Sequence, residues 1–247
     1  MPKYKLKIEY DGRNFVGWQR QDNGPSIQAA IEDALFNFSK ERAQVVGAGR
    51  TDSGVHALSM IAHIELKNTN PDPVTVKRAL NFHLGSQRIS ILETELAPAT
   101  FHARFSATKR RYLYRILNRT APPALEIGRV WFIPRNLDTE KMSQAAKELV
   151  GEHDFSSFRA KDCQAASATK TLSRLDVERY GSEIHISAEA RSFLHRQVRN
   201  IVGTLKLVGE DRWSIAQVKN VLSARDRSQA GPTAPPEGLY LADVIYD

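Results

Sequence analysis

Arg50 and Asp52 stand two residues apart at the centre of Gly47-Ala48-Gly49-Arg50-Thr51-Asp52-Ser53-Gly54, a segment with three glycines between two apolar strand patterns. The glycines permit tight turns or the close approach of a ligand, and a carboxylate beside a guanidinium is a pair with chemistry to offer. Taken by itself the segment reads better as a hairpin turn whose Asp caps its own backbone. No Gly-Lys-Ser/Thr follows, so it is not a phosphate loop, and it leads into a strand rather than a helix, which excludes the dinucleotide fingerprint. The seven histidines, His56, His63, His83, His102, His153, His185 and His195, include no His-x-x-x-His pair with a Glu between them, so each reads as a surface or packing residue and no metal site is expected. A Gly-x-Ser-x-Gly elbow is missing. The single cysteine, Cys163, stands between Asp162 and Gln164 with no preset partner and reads as an inert thiol.

Two stretches could hold a polyanion. Residues 101–120 carry Arg104, Lys109, Arg110, Arg111, Arg115 and Arg119 with no acid between them, interleaved with Phe101, Phe105, Tyr112 and Tyr114. Residues 191–206 carry Arg191, Arg196, Arg199 and Lys206, with Phe193 and His195 alongside, again without an acid. Such stretches suggest a phosphate-binding surface with platforms for unstacked bases, although ordinary exposed faces would look the same. The whole chain, 247 residues with 35 Lys and Arg against 28 Asp and Glu, carries a formal net charge of +7. With 41% hydrophobic and 26% charged residues it is neither a membrane protein nor a chain too polar to collapse. One cysteine excludes a disulfide scaffold, and with no apolar signal core behind the first strand a cytoplasmic location without membrane insertion is expected.

The elements that must position these residues follow from periodicity. Lys3, Lys5 and Lys7 alternate with Tyr4, Leu6, Ile8 and Tyr10 as a strand. Pro25 and Ser26 open a helix with Ile27, Ala30, Ile31, Ala34, Leu35 and Phe38 at helical spacing. Strands near 44–48 and 55–66, a helix near 73–83 and a strand near 88–95 complete a β-α-β-β-α-β order. The second half repeats it: a strand near 110–118, a helix capped by Asp138 with Met142, Ala145, Ala146, Leu149 and Val150 on one face, and strands near 171–180 and 183–189. A helix with Leu194, Val198, Ile201, Val202 and Leu205, a short helix from Ser214 and a strand near 239–246 follow. The expectation is an α+β protein of two ferredoxin-like halves, 1–105 with the Asp loop and 106–247 with the Arg-x-Tyr strand and the Val-Arg-Asn helix. The halves should share a mixed, mainly antiparallel sheet with a central basic cleft.

Seven blocks along nearly the whole chain resemble the bacterial tRNA pseudouridine synthase A family. They are Tyr10-Asp11-Gly12 with Gly17-Trp18-Gln19; Gly49-Arg50-Thr51-Asp52-Ser53-Gly54-Val55-His56-Ala57; Phe101-His102-Ala103-Arg104; and Arg111-Tyr112-Leu113-Tyr114. Gly151-Glu152-His153-Asp154-Phe155, Phe193-Leu194 with Val198-Arg199-Asn200, and Ala234-Pro235-Pro236-Glu237-Gly238-Leu239-Tyr240-Leu241 complete them. The resemblance implies a cofactor-free isomerisation of uridine to pseudouridine at positions 38, 39 and 40 of the tRNA anticodon arm, carried out by a homodimer. It implies Asp52 as the catalytic carboxylate, acting as nucleophile or stabilising a sugar cation, with Arg199 as the cation that keeps it ionised against desolvation. Arg50 would enter the stem as the base turns out. Tyr112 would stack on the flipped uracil and could move a proton. A phosphate clamp for Arg50, a core position for Tyr112 and a solvent-facing helix charge for Arg199 are the plain alternatives. Arg104, Arg110, Arg111, His195 and Leu239 complete the expected substrate-binding set, with a core strand the equal alternative for Leu239.

The chain departs from the family at Ala190-Arg191-Ser192, where a Gly- or Asn-containing turn is expected, at Gln197 in place of methionine, and at Ser59-Met60 in place of Gly-Gln. Two other functions fit parts of the pattern. A non-enzymatic protein of two RRM-like halves lacks its RNP run on any strand and leaves the Asp52 loop unexplained. An Asp-dependent enzyme that strips the base would release free uracil.

Overall fold

A computed structural model describes residues 1–247. The chain divides into two compact units, Met1–Thr108 together with Tyr240–Asp247, and Lys109–Leu239. The sequence expectation places the whole of 106–247 in the second half, whereas Tyr240–Asp247 belongs to the first unit and Leu239 to the second.

In the first unit β1 (Lys3–Tyr10) buries Tyr4, Leu6 and Ile8 completely, while Lys3, Lys5 and Lys7 stand on the other face and pair with Glu65, Glu95 and Glu93. It lies antiparallel between β3 (His56–Glu65) and β4 (Ile89–Ala97), and β2 (Val46–Gly47) pairs antiparallel with β3. The far side of β3 takes β10 (Leu239–Tyr246) in parallel, with Tyr240 opposite His56. Helix α1 (Ile27–Ser39) starts where the Ser26 side chain accepts from Ala29 N, and α2 (Pro73–Leu84) where Asp72 accepts from Thr75 N with Pro73 in the first turn. Ile27, Ile31, Ala34 and Leu35 of α1 are buried, each large one contributing about 1.5–3 kcal/mol by removal from water. α1 packs on α2, and α2 on β4.

The second unit is built on β5 (Ala107–Asn118), whose first two residues belong to the first unit. Its strands run in the order β5, β9 (Glu183–Ala190), β8 (Thr169–Tyr180) and β7 (Gly151–Asp154), all antiparallel, and β6 (Trp131–Ile133) lies parallel to β5. Helix α3 (Thr139–Lys147) packs on β8, α4 (Gln197–Gly209) and α5 (Ile215–Ala224). Asp138 caps α3 and Ser214 caps α5 with a capping box to Gln217. The architecture is α+β with mixed, mainly antiparallel pairing in each unit, and the β-α-β-β-α-β order occurs in the chain twice. Short β6 and β7 add to it. The helical periodicity overruns α3 at Leu149, which is fully buried in the turn beyond the helix, and begins before α4 at Leu194, where Arg196 breaks the helix with a left-handed backbone of φ 60°. No helix is long and apolar enough to cross a membrane.

Candidate active site

The Asp52 segment is indeed the connection of a hairpin, between β2 and β3, yet its backbone is tied down along its length. Ala48 N donates to Ile61 O at 2.7 Å, and a Cβ on Gly47 would lie 2.7 Å from the Trp18 ring, so only glycine lets that indole close over the loop. Trp18 N donates to Thr51 O at 3.1 Å, and Gly17 bridges Asp52 with φ +121°, where a Cβ would stand 2.6 Å from Thr51 O. The Tyr10 hydroxyl and Thr51 Oγ1 share a buried hydrogen bond of 2.8 Å. Beyond Asp52, its carbonyl accepts from Val55 N at 3.1 Å, and Gly12 packs against Val55 O so closely that a Cβ would be 2.0 Å away. Thr51 and Val55 are therefore buried, Asp52 is half-buried and Arg50 and Ser53 are exposed. The blocks Tyr10-Asp11-Gly12 and Gly17-Trp18 are the frame on which a carboxylate and a guanidinium are presented.

The frame has its own electrostatic anchor. Burial pushes the Asp11 carboxyl up, but side-chain and backbone hydrogen bonds from Arg13 and the nearby His56 outweigh it and hold Asp11 at about 2. Asp11 lies 3.3 Å from His56 Nδ1 and 3.3 Å from Arg88 Nη1. Gly12 N donates to the same imidazole at 3.2 Å, and His56 stacks on Tyr240 with ring centres 4.7 Å apart. Arg104, also in this unit, is exposed in a turn where Arg104 N and Phe105 N both donate to His102 Nδ1, at 3.2 and 3.3 Å. Its guanidinium lies 5.6 Å from the exposed Phe105 ring. Beneath that turn His63 accepts from Ala103 N at 3.1 Å; burial first, then His102 and Lys3, push it down to about 4, so it is neutral at pH 7.

In the second unit Tyr112 is half-buried and meets Phe193 edge-on at 5.0 Å, while Tyr114, two residues on, is fully buried with its hydroxyl donating to Pro235 O at 2.8 Å. The core-tyrosine description belongs to Tyr114, not Tyr112. Arg110 Nη1 donates to Arg191 O at 2.6 Å. Arg111 Nε donates to Glu189 Oε2 at 2.6 Å from the facing position on β9, and Lys109 Nζ lies 3.1 Å from Glu189 Oε1. Arg111 first, with Ser173 and Lys109 behind it, outweighs burial and draws Glu189 down to about 2. Arg115 pairs with Glu183 and Glu126. The stretch without acids in sequence thus acquires acids from its neighbours in space.

Arg199 lies in the first turn of α4, half-buried, with Nε donating to Ala234 O at 2.8 Å and its own carbonyl accepting from Ala234 N at 3.0 Å. It is not a solvated helix charge. His195, half-buried, has Nδ1 3.2 Å from Asp162, and its backbone N donates to Cys163 Sγ at 3.3 Å. Leu239 is buried at the head of β10. Gln197, buried, accepts from Leu194 N at 2.8 Å through its Oε1 and closes the turn into α4. Arg191 is exposed and contributes its carbonyl to Arg110, and Ser59 is buried beside Asp243. Nothing in the structure explains why those two residues replace the family's usual ones. The structure therefore gathers Tyr112, Phe193, Arg110 and the turn into α4 in one unit, and Asp52, Arg50 and Arg104 in the other. Glu189 escaped the sequence reading because nothing in a single sequence pairs 109 or 111 with 189. Asn200 was visible only as part of the Val-Arg-Asn block.

Residues 7–106 and 145–247 match the protein family described as tRNA pseudouridine synthase. Proteins called tRNA pseudouridine synthase A are similar over the full chain: that of Rhodospirillum centenum at 58% identity, covering 100% of both chains, and that of Sinorhizobium medicae at 53%, again covering 100% of both. The Rhodospirillum rubrum protein of that name is 55% identical over 100% of this chain and 88% of its own.

Proposed function

From the premise that this chain belongs to the tRNA pseudouridine synthase family, we propose that it isomerises uridine to pseudouridine at positions 38, 39 and 40 of the tRNA anticodon arm, with Asp52 as the catalytic carboxylate. The observation that carries this reading is the Asp52 loop itself: it is fixed on both sides of Asp52 by Gly17, Trp18, Tyr10 and Gly12, with Asp52 half-buried and Arg50 exposed. A plain turn needs no such frame; a carboxylate that must meet one sugar carbon does.

In the reaction the bond from N1 of uracil to the sugar breaks, the base turns, a bond forms from C5 to the same sugar carbon, and the proton on C5 is lost while N1 gains one. Asp52 attacks or stabilises the electron-poor centre. Arg199 supplies the positive charge the reaction calls for. Arg50, exposed and long, occupies the stem when the base has left it, and Tyr112 stacks on the extruded uracil. Arg104, Arg110 and Arg111 hold phosphates, and His195 and Leu239 border the substrate. No cofactor enters this scheme, and the working form is a homodimer in the cytoplasm.

The test is tritium release from 5-tritiated uridine in unmodified tRNA with uridines at 38–40, by the wild type and by Asp52→Asn. Release by the wild type alone, with tRNA binding by both, is the expected result. Near-wild-type release by Asp52→Asn removes Asp52 from the mechanism. Free uracil among the products replaces isomerisation by base excision, and binding without release by either protein reduces the chain to an RNA-binding protein for these positions. Sedimentation at micromolar concentration should give the dimer; a monomer there counts against the proposed assembly.

A further inference from the structure

Arg227 is a half-buried cation that the reaction described above does not use. Its guanidinium donates to four oxygens that carry no formal charge: Nη1 to Gly231 O at 3.0 Å and Ala230 O at 3.4 Å, Nη2 to Thr233 Oγ1 at 3.0 Å and Asn200 Oδ1 at 3.2 Å. Five donors in a rigid fork suit a group that must hold several backbone positions at once.

What it holds is the segment Ala230–Gly238. Asn200, fully buried, accepts from Thr233 Oγ1 at 2.7 Å and donates through Nδ2 to Phe158 O at 2.7 Å. Thr204 Oγ1 donates to Asn200 O at 2.9 Å and accepts from Gly231 N at 3.0 Å. Pro232 O presses so near Gly203 that a Cβ there would lie 1.7 Å from it, so the segment lies directly on α4. One residue beyond Thr233, Ala234 O receives Arg199 Nε, and Ala234 N donates back to Arg199 O. One residue further, Pro235 O receives the hydroxyl of Tyr114, and Gly238 packs on the Tyr114 ring, where a Cβ would come within 2.6 Å. Tyr114 stands two positions from Tyr112 along β5 and faces the same way.

We propose that Arg227, acting through Asn200 and Thr233, is a positioning residue that fixes the segment Ala230–Gly238 as a spacer between Arg199 on α4 and the Tyr112 strand. The segment is bonded to Arg199 on one side and to the Tyr112 strand on the other within two residues, Ala234 and Pro235. Arg227 touches neither. It acts by denying the segment other positions, and a displacement of about 1 Å at a reacting group costs up to about a hundredfold in rate. The inference rests on the roles given above to Arg199 and Tyr112.

The experiment measures single-turnover tritium release at saturating enzyme, tRNA dissociation constants and melting temperatures for Thr233→Val, Arg227→Lys, Arg199→Lys and Arg199→Gln, and for the pair Thr233→Val with Arg199→Lys. Thr233→Val removes one hydroxyl and leaves Arg227 bonded to Asn200, Ala230 and Gly231; Arg227→Lys keeps charge without the fork. The expected result is a single-turnover rate lowered about tenfold by Arg227→Lys and about threefold or more by Thr233→Val, with dissociation constants within about twofold of wild type. In the Arg199→Lys protein, which lacks the Nε bond to the segment, Thr233→Val should cost almost nothing further, the mark of coupled residues. Rates within twofold of wild type alongside lowered melting temperatures reduce the arrangement to a stabilising clamp and overturn the inference. So does a fully multiplicative loss in the double variant, or weakened tRNA binding with an unchanged single-turnover rate, which makes Arg227 an RNA contact. Arg199→Gln at wild-type rate overturns the role of Arg199 and the inference with it; a slow Arg199→Gln beside unaffected segment variants overturns the inference alone.

Discussion

The hydroxyls of Tyr10 and Thr51 are one hydrogen-bonded pair in a place where water does not reach, and Thr51 is the residue before Asp52. Tyr10→Phe leaves Thr51 Oγ1 buried without its partner, which costs about 1–3 kcal/mol. At about 2–4 °C per kcal/mol for a chain of this size, the melting temperature should fall by several degrees. Thr51→Val added to Tyr10→Phe removes the second hydroxyl and should restore part of that loss, because no Thr51 hydroxyl is then buried without its partner. If thermal melts show the double variant no more stable than Tyr10→Phe, the cost lies in packing and not in the hydrogen bond. Glu189 makes a prediction of a different kind. Its folded pKa of about 2 lies below the ordinary carboxylate value of about 4.3, so its contribution is complete above about pH 4.3 and is lost as the pH falls toward 2. Glu189→Gln has no such proton to bind and should flatten the acid side of the stability curve between those pH values. Asp11, also near 2, keeps part of the slope. Urea unfolding at stepped pH reads this directly, and parallel curves for the two proteins would show that Glu189 is not protonated in that range.

At the scale of elements, the Asp52 loop belongs less to its own hairpin than to the turn after β1. Gly17 has a backbone conformation that L side chains rarely adopt and no room for a Cβ against Thr51 O. Gly17→Ala should therefore cost more than 2 kcal/mol and lower kcat well beyond any change in KM, because the strain falls on the peptide preceding Asp52. Denaturant unfolding and steady-state kinetics on the same preparation check it; a stable, fully active Gly17→Ala would show that the frame yields without moving the carboxylate. This dependence was only half legible in the sequence. Gly17-Trp18 stood out as a block, but a block does not say what it touches. The caps Ser26, Asp138 and Ser214 and the apolar spacing of the helices were readable because they act within one turn. Strands β6 and β7, three and four residues long, are too short for an alternation to show, and their existence depends on β5 and β8 being there to pair with. The parallel pairing of β10 with β3 joins residues nearly two hundred positions apart, and no local pattern encodes that.

For the whole molecule, a net charge of +7 implies attraction to a polyanion, but the distribution of that charge in space decides how it is used. Lys109 and Arg111 are exposed, yet both are held by Glu189; a phosphate that takes either of them must compete with a carboxylate already in place. Binding through Arg111 is then an exchange of ion pairs and releases fewer counterions than a solvated arginine would. Arg111→Ala should reduce the slope of log binding constant against log salt by less than the ~0.9 expected for a full phosphate contact. Glu189→Gln should do the reverse: with the competing carboxylate gone, tRNA binds more tightly at low salt and the slope steepens by about one or two contacts, the two proteins converging as salt screens the difference. Filter binding of tRNA across a salt series distinguishes these outcomes. A Glu189→Gln slope and affinity equal to wild type, with Arg111→Ala equally silent, would mean that the RNA does not run over β5 at all and that this cluster serves the sheet alone.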